Sequence, residues 1–305
     1  MKILVTGGAG FIGSNVVDAL IEKGYDVAVV DNLSKGRIEN VNKKARFYKI
    51  DIRDKALDKV FAKEKPSVVC HHAAHISVRV SIEDPKKDIE TNGIGMLNLL
   101  ECCKKYKTEK FIFASSAAVY GEVKPPITES SPLNPVNPYG INKILGEMYL
   151  SFYHKIHGLN YIVLRYANVF GPRQNAECEA GVISIFATQM LKGQAPIVYG
   201  DGLQERDFVY VGDVVDANIR AIENNKALNN LFNISTCKAT NLNTIFSLLK
   251  SYTGYSGGKI HTNPKKGEIR KLLLNYDKAK KILGWEPSVS IEEGLKKTAE
   301  WYRKK

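Results

Sequence analysis

Residues 6–13 read Thr-Gly-Gly-Ala-Gly-Phe-Ile-Gly, directly after the apolar run Ile3-Leu4-Val5. An apolar run that breaks into glycines and resumes in a helical pattern predicts a buried strand, a tight turn and a helix. Gly7, Gly10 and Gly13 stand in G-x-x-G-x-x-G spacing. The first glycine allows the turn. The second leaves no Cβ where a pyrophosphate must approach the backbone, and the third lets the helix pack on the strand. The free N–H groups at that helix start, with the positive end of its dipole, suit a diphosphate. A second strand is expected from Asp26 and ends at Asp31, 21 residues beyond Gly10. A carboxylate there accepts hydrogen bonds from the adenosine ribose hydroxyls. Together these residues predict a dinucleotide site.

Strand and helix signals alternate through the first half. Strands are expected at Lys2–Thr6, Asp26–Asp31, Arg46–Ile50, Ser67–His71, Lys110–Ser115 and Asn160–Tyr166. Helical patterns lie between them, notably at Phe11–Lys23, Asp84–Lys105 and Pro138–His157. This alternation predicts an α/β fold, a doubly wound parallel sheet covered on both faces. After Tyr166 the pattern loosens into a polar Gly-Pro stretch, a helix at Val182–Leu191, a short strand at Pro196–Tyr199 and a sheet segment near Leu231–Ser235. The chain carries no repeat and no Ser/Gly linker, so the second domain is expected to be small and threaded from several insertions. The expected division is 1–166 with about 207–236 for the cofactor, and about 167–206 with 237–305 for the substrate.

The 44 Lys+Arg outnumber the 32 Asp+Glu, for a net charge of +12. The lysines are scattered pairs without interleaved aromatics, which reads as a solvated surface, not a nucleic-acid face. No apolar stretch reaches the ~20 residues of a membrane span. The N-terminus reads as a strand, not as a charged leader. The five cysteines form no C-x-x-C pair, and reduced thiols in the cytoplasm are the simplest reading. His71, His72 and His75 have no partnering carboxylate or Cys cluster, so no metal is expected.

Tyr139-Gly-Ile-Asn-Lys143 places a phenol and an ammonium on one helix face, one turn apart. A free tyrosine has a pKa of ~10; lowering it to ~7 takes about 4 kcal/mol of preferential phenolate stabilisation. A nearby ammonium and an oxidised nicotinamide are the expected sources. Ser115 and Ser116 close a predicted strand at the sheet's carboxyl edge, where open α/β sheets bind ligands.

With these motifs in place the chain resembles, over essentially its whole length, the extended short-chain dehydrogenase/reductases of the nucleotide-sugar epimerase/dehydratase group. The matching stretches are TGGAGFIG (6–13), DNLSKG (31–36), DIRD (51–54), HHAAHISV (71–78), SSAAVYG (115–121), YGINK (139–143), LRYANVFGPRQ (164–174), GDGLQERDFVYVGDV (200–214), KKGEIR (265–270) and LGWEP (283–287). The resemblance implies a Rossmann-type sheet with a smaller α/β C-terminal substrate domain, NAD as cofactor and a UDP-sugar as substrate. It also implies a homodimer paired through the helices at Asp84–Lys105 and around Tyr139.

Carried over by position, Tyr139 is the catalytic base, Lys143 holds the ribose and tunes it, and Ser116 is the catalytic hydroxyl. Gly7, Gly10, Phe11, Ile12, Gly13, Asp31, Asn32, Gly36, Asp51, Ile52, Ala73, Ala74, Asn92, Ser115 and Ala167 match cofactor contacts, together with Tyr139 and Lys143. Asn168, Val182, Ile197, Tyr199, Arg206, Lys265 and Glu268 match substrate contacts, with Ser116. Related dehydratases carry Asp and Glu after the catalytic hydroxyl, where this chain has Ala117 and Ala118. Alanine transfers no proton, so elimination lacks its acid and base. What is left suits NAD-dependent 4-epimerisation of a UDP-hexose through a 4-keto sugar. Epimerisation of UDP-N-acetylglucosamine or UDP-glucuronate is the alternative. Lys265-Lys266-Gly267-Glu268 replaces the group's usual R-P-G-D/E, exchanging a fork for a point charge.

Overall fold

The computed structural model describes residues 1–176, 181–264 and 270–305. In chain order the first half contributes β1 (Lys2–Thr6), α1 (Phe11–Glu22), β2 (Asp26–Asp31), β3 (Arg46–Lys49), α2 (Leu57–Glu64) and β4 (Val68–His71). It continues with α3 (Val78–Glu83), α4 (Pro85–Ile89), α5 (Gly95–Lys105), β5 (Lys110–Ser116), α6 (Pro138–His157) and β6 (Asn160–Tyr166). The second half adds β7 (Asn168–Phe170), α7 (Val182–Leu191), β8 (Ile197–Tyr199), β9 (Glu205–Tyr210), α8 (Val211–Glu223) and β10 (Asn230–Ile234). It ends with β11 (Ala239–Asn241), α9 (Leu242–Thr253), β12 (Ile260–Thr262) and α10 (Ile291–Arg303).

Strands β1 and β2 are buried after their first residues. A strand covered on both faces needs no polar alternation, which is why these segments read as continuous apolar runs. The main sheet runs β10-β6-β5-β4-β1-β2-β3, with every neighbour parallel. Its order reverses at β1, so a crevice opens at the carboxyl ends of β1 and β4. Two smaller sheets, β11-β9-β7 and β12-β8, lie in the second half.

Three cores follow from this layering. On one face of the main sheet, α1 and α8 bury Val16, Val17, Leu20, Val214 and Ala217, joined by Trp285. The Trp285 indole N–H donates to the Asp213 carbonyl at 2.8 Å, so this large side chain is buried without an unpaired donor. On the other face, α2, α5 and α6 bury Phe61, Leu99, Leu100 and Leu150. The third core holds Phe170, Phe186, Phe208, Leu249 and Leu295 between the β7–β9 sheet and α7, α9 and α10.

The expected single helix at Asp84–Lys105 is interrupted. Pro85 starts α4, capped by the Asp84 side chain, and Glu90–Ile94 forms a π-helical turn before α5. A Cβ on Gly95 would stand 2.6 Å from the Ile52 Cδ1, so glycine is what lets the turn sit against the end of the sheet. Such π turns inside helices occur often at functional sites.

Candidate active site

The glycine turn behaves as its spacing predicts. Gly7 has φ +71, and a Cβ there would lie 2.5 Å from the Ala73 nitrogen. A Cβ on Gly13 would lie 2.3 Å from the Gly7 carbonyl oxygen. The α1 helix begins at Phe11 with no side-chain hydrogen bond capping it. Its first N–H groups therefore face the crevice at the switch in strand order.

That crevice is a cavity of about 880 Å³. Of the residues expected at the cofactor, Gly7, Gly10, Phe11, Ile12, Gly13, Asp31, Asn32, Gly36, Asp51, Ile52, Ala73, Ala74, Ser115, Tyr139 and Lys143 all line it. Asn92 and Ala167 are not among the lining residues. Asn92 is spent on His75 and Asp88, and the Ala167 N–H donates to the Ile234 carbonyl at 3.0 Å. The Asp31 carboxylate accepts from the Ala9 and Leu33 N–H groups at 3.0 and 2.8 Å. Burial nonetheless pushes its pKa up. Asp51 is held well below the usual carboxylate range, chiefly by its hydrogen bonds from Arg53, and also accepts from Asn32.

Tyr139 and Lys143 stand on the first two turns of α6. Asn137 caps this helix through Gly140, and Pro138 fixes its start. The Lys143 Nζ donates to the Ala114 carbonyl at 2.7 Å and lies 5.6 Å from the Tyr139 ring centre. Ser116, at the end of β5, hydrogen-bonds the Tyr139 phenol, and its Oγ accepts from the Ala118 N–H at 3.2 Å. Ser115 turns inward and donates to Glu147 at 2.6 Å. Glu147 is paired with Arg165, which reaches the Tyr120 hydroxyl at 2.8 Å. This buried chain fixes the end of β5 against α6.

Burial dominates the electrostatics of the pair. Tyr139 is pushed up to about 12, first by burial and then by the Asp88 charge, with the Ser116 hydrogen bond working the other way. Lys143 is lowered to about 8, again by burial.

Among the described residues, Ser116, Asn168, Val182, Ile197, Tyr199 and Arg206, expected at the substrate, do not line this cavity. Asn168 opens β7 opposite Phe208, Val182 opens α7, and Ile197 and Tyr199 stand half exposed on β8. The Arg206 Nη1 donates to the Glu205 carbonyl at 2.9 Å. Lys265 and Glu268 lie outside the described residues. Sequence reasoning missed the end of α10 and the residues after it: Trp301, Tyr302, Arg303 and Lys305 line the cavity too. Nothing in their local pattern signals it, since the contact is made across the whole length of the chain. The three histidines part company. His71 meets the Thr6 hydroxyl at 2.7 Å, His75 faces Asp88, and burial lowers His72 to about 3. Among the described residues no three His, Cys, Asp or Glu side chains are grouped to hold a metal. Nor is any helix long and apolar enough to cross a membrane.

The sequence pattern of the NAD dependent epimerase/dehydratase family matches residues 3–235. The chain belongs to this family. It is an NAD-dependent enzyme, and the glycine cradle, the open α1 terminus and Asp31 fit that cofactor. The chain is 52% identical to the UDP-glucose 4-epimerase of Thermotoga maritima, solved with UDP-glucose, over 100% of this chain and 99% of that one, with a TM-score of 0.97. The Thermus thermophilus UDP-glucose 4-epimerase, solved with NAD, is 40% identical over 99% of both chains, with a TM-score of 0.93. A Mycolicibacterium smegmatis UDP-glucose 4-epimerase is 38% identical over 100% of this chain and 99% of its own.

Proposed function

We propose that this family member interconverts UDP-glucose and UDP-galactose by oxidising and re-reducing C4 of the sugar. The observation that carries this reading is local. Tyr139 stands at the cofactor cavity with Lys143 one turn on, Ser116 against the phenol, and alanines at 117 and 118. When bound, NAD supplies the acceptor, and after reduction the donor, for one hydride.

Ser116 orients the sugar O4 toward the Tyr139 oxygen. Tyr139, as phenolate, takes the O4 proton while the hydride leaves C4, giving a 4-keto sugar. The Lys143 ammonium stabilises that phenolate, and the positive charge of an oxidised nicotinamide, when held in the cavity, would add to the same effect. No acid or base stands at Ala117 or Ala118 to draw the keto sugar into elimination. The keto sugar turns over, the hydride returns to the opposite face, and Tyr139 gives the proton back to O4. Asn168 and Arg206 hold the diphosphate during the turn, and Val182, Ile197, Tyr199, Lys265 and Glu268 complete the nucleotide-sugar site. Arg206 suits phosphate oxygens through its planar fork.

The cofactor unit is residues 1–166 with about 207–236. The substrate unit is about 167–206 with 237–305. The working form is a homodimer. In support, Ile82, Ile89, Ile94, Ile141, Met148, Phe152 and Ile156 are each 42–65% exposed along α3–α6, more apolar surface than a solitary helix pair leaves in water. Met148→Lys is expected to move the protein to monomer in sedimentation; an unchanged dimer overturns that interface.

The functional test is an assay of the purified protein on UDP-glucose, UDP-N-acetylglucosamine and UDP-glucuronate. UDP-galactose formed from UDP-glucose supports the reading, and turnover of the uronate alone overturns the choice of sugar.

A further inference from the structure

Asp88 is a fully buried carboxylate that the reaction above does not use. Asn142, next to Lys143 on α6, donates to one of its oxygens at 2.6 Å. The other oxygen accepts from the Asn92 side chain at 3.1 Å and faces the His75 Nδ1 at 3.0 Å. Asn92 also closes a pair of hydrogen bonds with the His75 main chain, at 2.8 and 2.9 Å. One carboxylate thereby joins the loop after β4, which continues His72-Ala73-Ala74 from the cavity wall, to the π turn and to the helix that carries Tyr139 and Lys143.

A neutral amide could make most of these joints without the desolvation cost of a buried charge. The charge acts elsewhere: it raises the proton affinity of both Tyr139 and Lys143. We propose that Asp88 is a positioning residue, held between Asn142, Asn92 and His75, whose negative charge sets the pH window in which the Tyr139–Lys143 pair works. This rests on the reading of Tyr139 and Lys143 given above.

The groups that bear on Asp88 are few. From the loop after β4 comes His75. From α6 come Tyr139 and Lys143, with Glu147 acting on Lys143 and itself paired with Arg165. On α3, Arg79 and Glu83 are exposed and paired with each other; at the π turn, Glu90 is exposed and meets Arg53. Lys86 and Lys87, on the same helix as Asp88, are exposed.

The working form holds one ammonium and one phenolate. It gains a proton on the acid side and loses one on the alkaline side. A negative charge close to both groups moves both limbs toward alkali, so its removal moves both toward acid.

The experiment uses Asp88→Asn and, as a second route to the same neutralisation, His75→Lys, which sets a permanent ammonium against Asp88. Two quantities are read across pH. One is kcat for UDP-glucose. The other is the ultraviolet absorbance of the Tyr139 phenolate in the NAD-loaded protein, isolated by subtracting the matching Tyr139→Phe background. Both limbs of the kcat profile and the phenolate transition are expected to shift to acid, by on the order of half to one pH unit. KM is expected to stay within about twofold. Asp88→Glu is expected to keep the wild-type profile position even if kcat falls. If Asp88→Asn does not fold, His75→Lys carries the same reading. Profiles and phenolate transitions that superimpose on wild type overturn the proposal and leave Asp88 a structural joint. Absent turnover by the wild-type protein, with a shifted phenolate transition in the variants, overturns the UDP-sugar reading and leaves the role of Asp88 standing.

Discussion

The two halves of this molecule hold their sites in different ways. The cofactor half builds its wall from one sheet edge: the glycine turn, the ends of β2, β4 and β5, and the first turns of α6. Each of those residues follows a long buried strand or starts a capped helix, so local sequence sets its position. The second half, from β7 onward, carries the two smaller sheets, in which β7, β8, β11 and β12 are only three residues long and come from distant parts of the chain. Its short strands cannot set register alone, and buried polar side chains do that work. Asp207 is the clearest case. It accepts from the Thr236 N–H and hydroxyl at 2.8 and 2.7 Å, and from the Cys237 and Leu274 N–H groups at 3.0 and 3.3 Å. One carboxylate pins β9 to two segments that sequence alone does not connect.

The largest expected effect is at the catalytic face of the cofactor half. Tyr139→Phe is expected to lower kcat by about 10²–10⁴-fold, the usual worth of a positioned general base, with bound NAD retained in the purified protein. Activity near wild type breaks the assignment of the base. Next is the cradle. Gly13→Ala forces a methyl to 2.3 Å from a backbone oxygen. It is expected to destabilise the protein by about 1–3 kcal/mol and to strip NAD during purification, as read by melting and by the released nucleotide.

An intermediate effect belongs to the other half. Arg206→Ala is expected to raise KM for UDP-glucose about 10–100-fold, matching ~1.5–3 kcal/mol for a charge-assisted phosphate contact. NAD retention should not change. Loss of NAD instead would mean that the two halves are not separable in this way.

The smallest effect contrasts a buried carboxylate from each half. Burial pushes Asp207 up to about 6, against hydrogen bonds from Thr236, Leu274 and Cys237 that lower it. Its folded pKa lies above the unfolded 3.8, so its contribution to stability is full below about 4 and is lost as pH rises through 6. Glu64, at the end of α2, is the opposite. Burial raises it, but Arg46, Tyr48 and Lys2 outweigh that and hold it at about 2. Its contribution is present above 4.5 and lost as pH falls toward 2. Between pH 6 and 4, hydrogen-exchange protection of β9 and β11 should rise while that of β2 and β3 holds; below 4 the latter should fall. Asp207→Asn should flatten the first trend only.

What the sequence made legible follows the same division. The strands at Lys2–Thr6, Asp26–Asp31 and Asn160–Tyr166 and the helix at Pro138–His157 fall on the expected residues, because continuous apolar runs, a Pro start and a Gly stop are local signals. The π turn at Glu90–Ile94 was not legible, since it answers to the close approach of Ile52 to Gly95. Asp88 was hidden for a related reason. In the sequence it is one more charge in Pro-Lys-Lys-Asp, and only the fold turns it away from its lysine neighbours into a buried cluster. Spacing reveals the ammonium near Tyr139 but not the depth at which the phenol is buried, and burial is the largest influence that the protein itself exerts on it. The α10 wall of the cavity could not be read at all, being a contact between the two ends of the chain.

The central claim is that the sugar is oxidised and reduced at C4, with one hydride leaving and returning inside the site. The direct measurement is to turn over UDP-glucose carrying deuterium at C4 in ordinary water and to locate the label in the UDP-galactose formed. The account expects the label retained at C4. Label washed out of C4, or solvent hydrogen entering at C5, would contradict it.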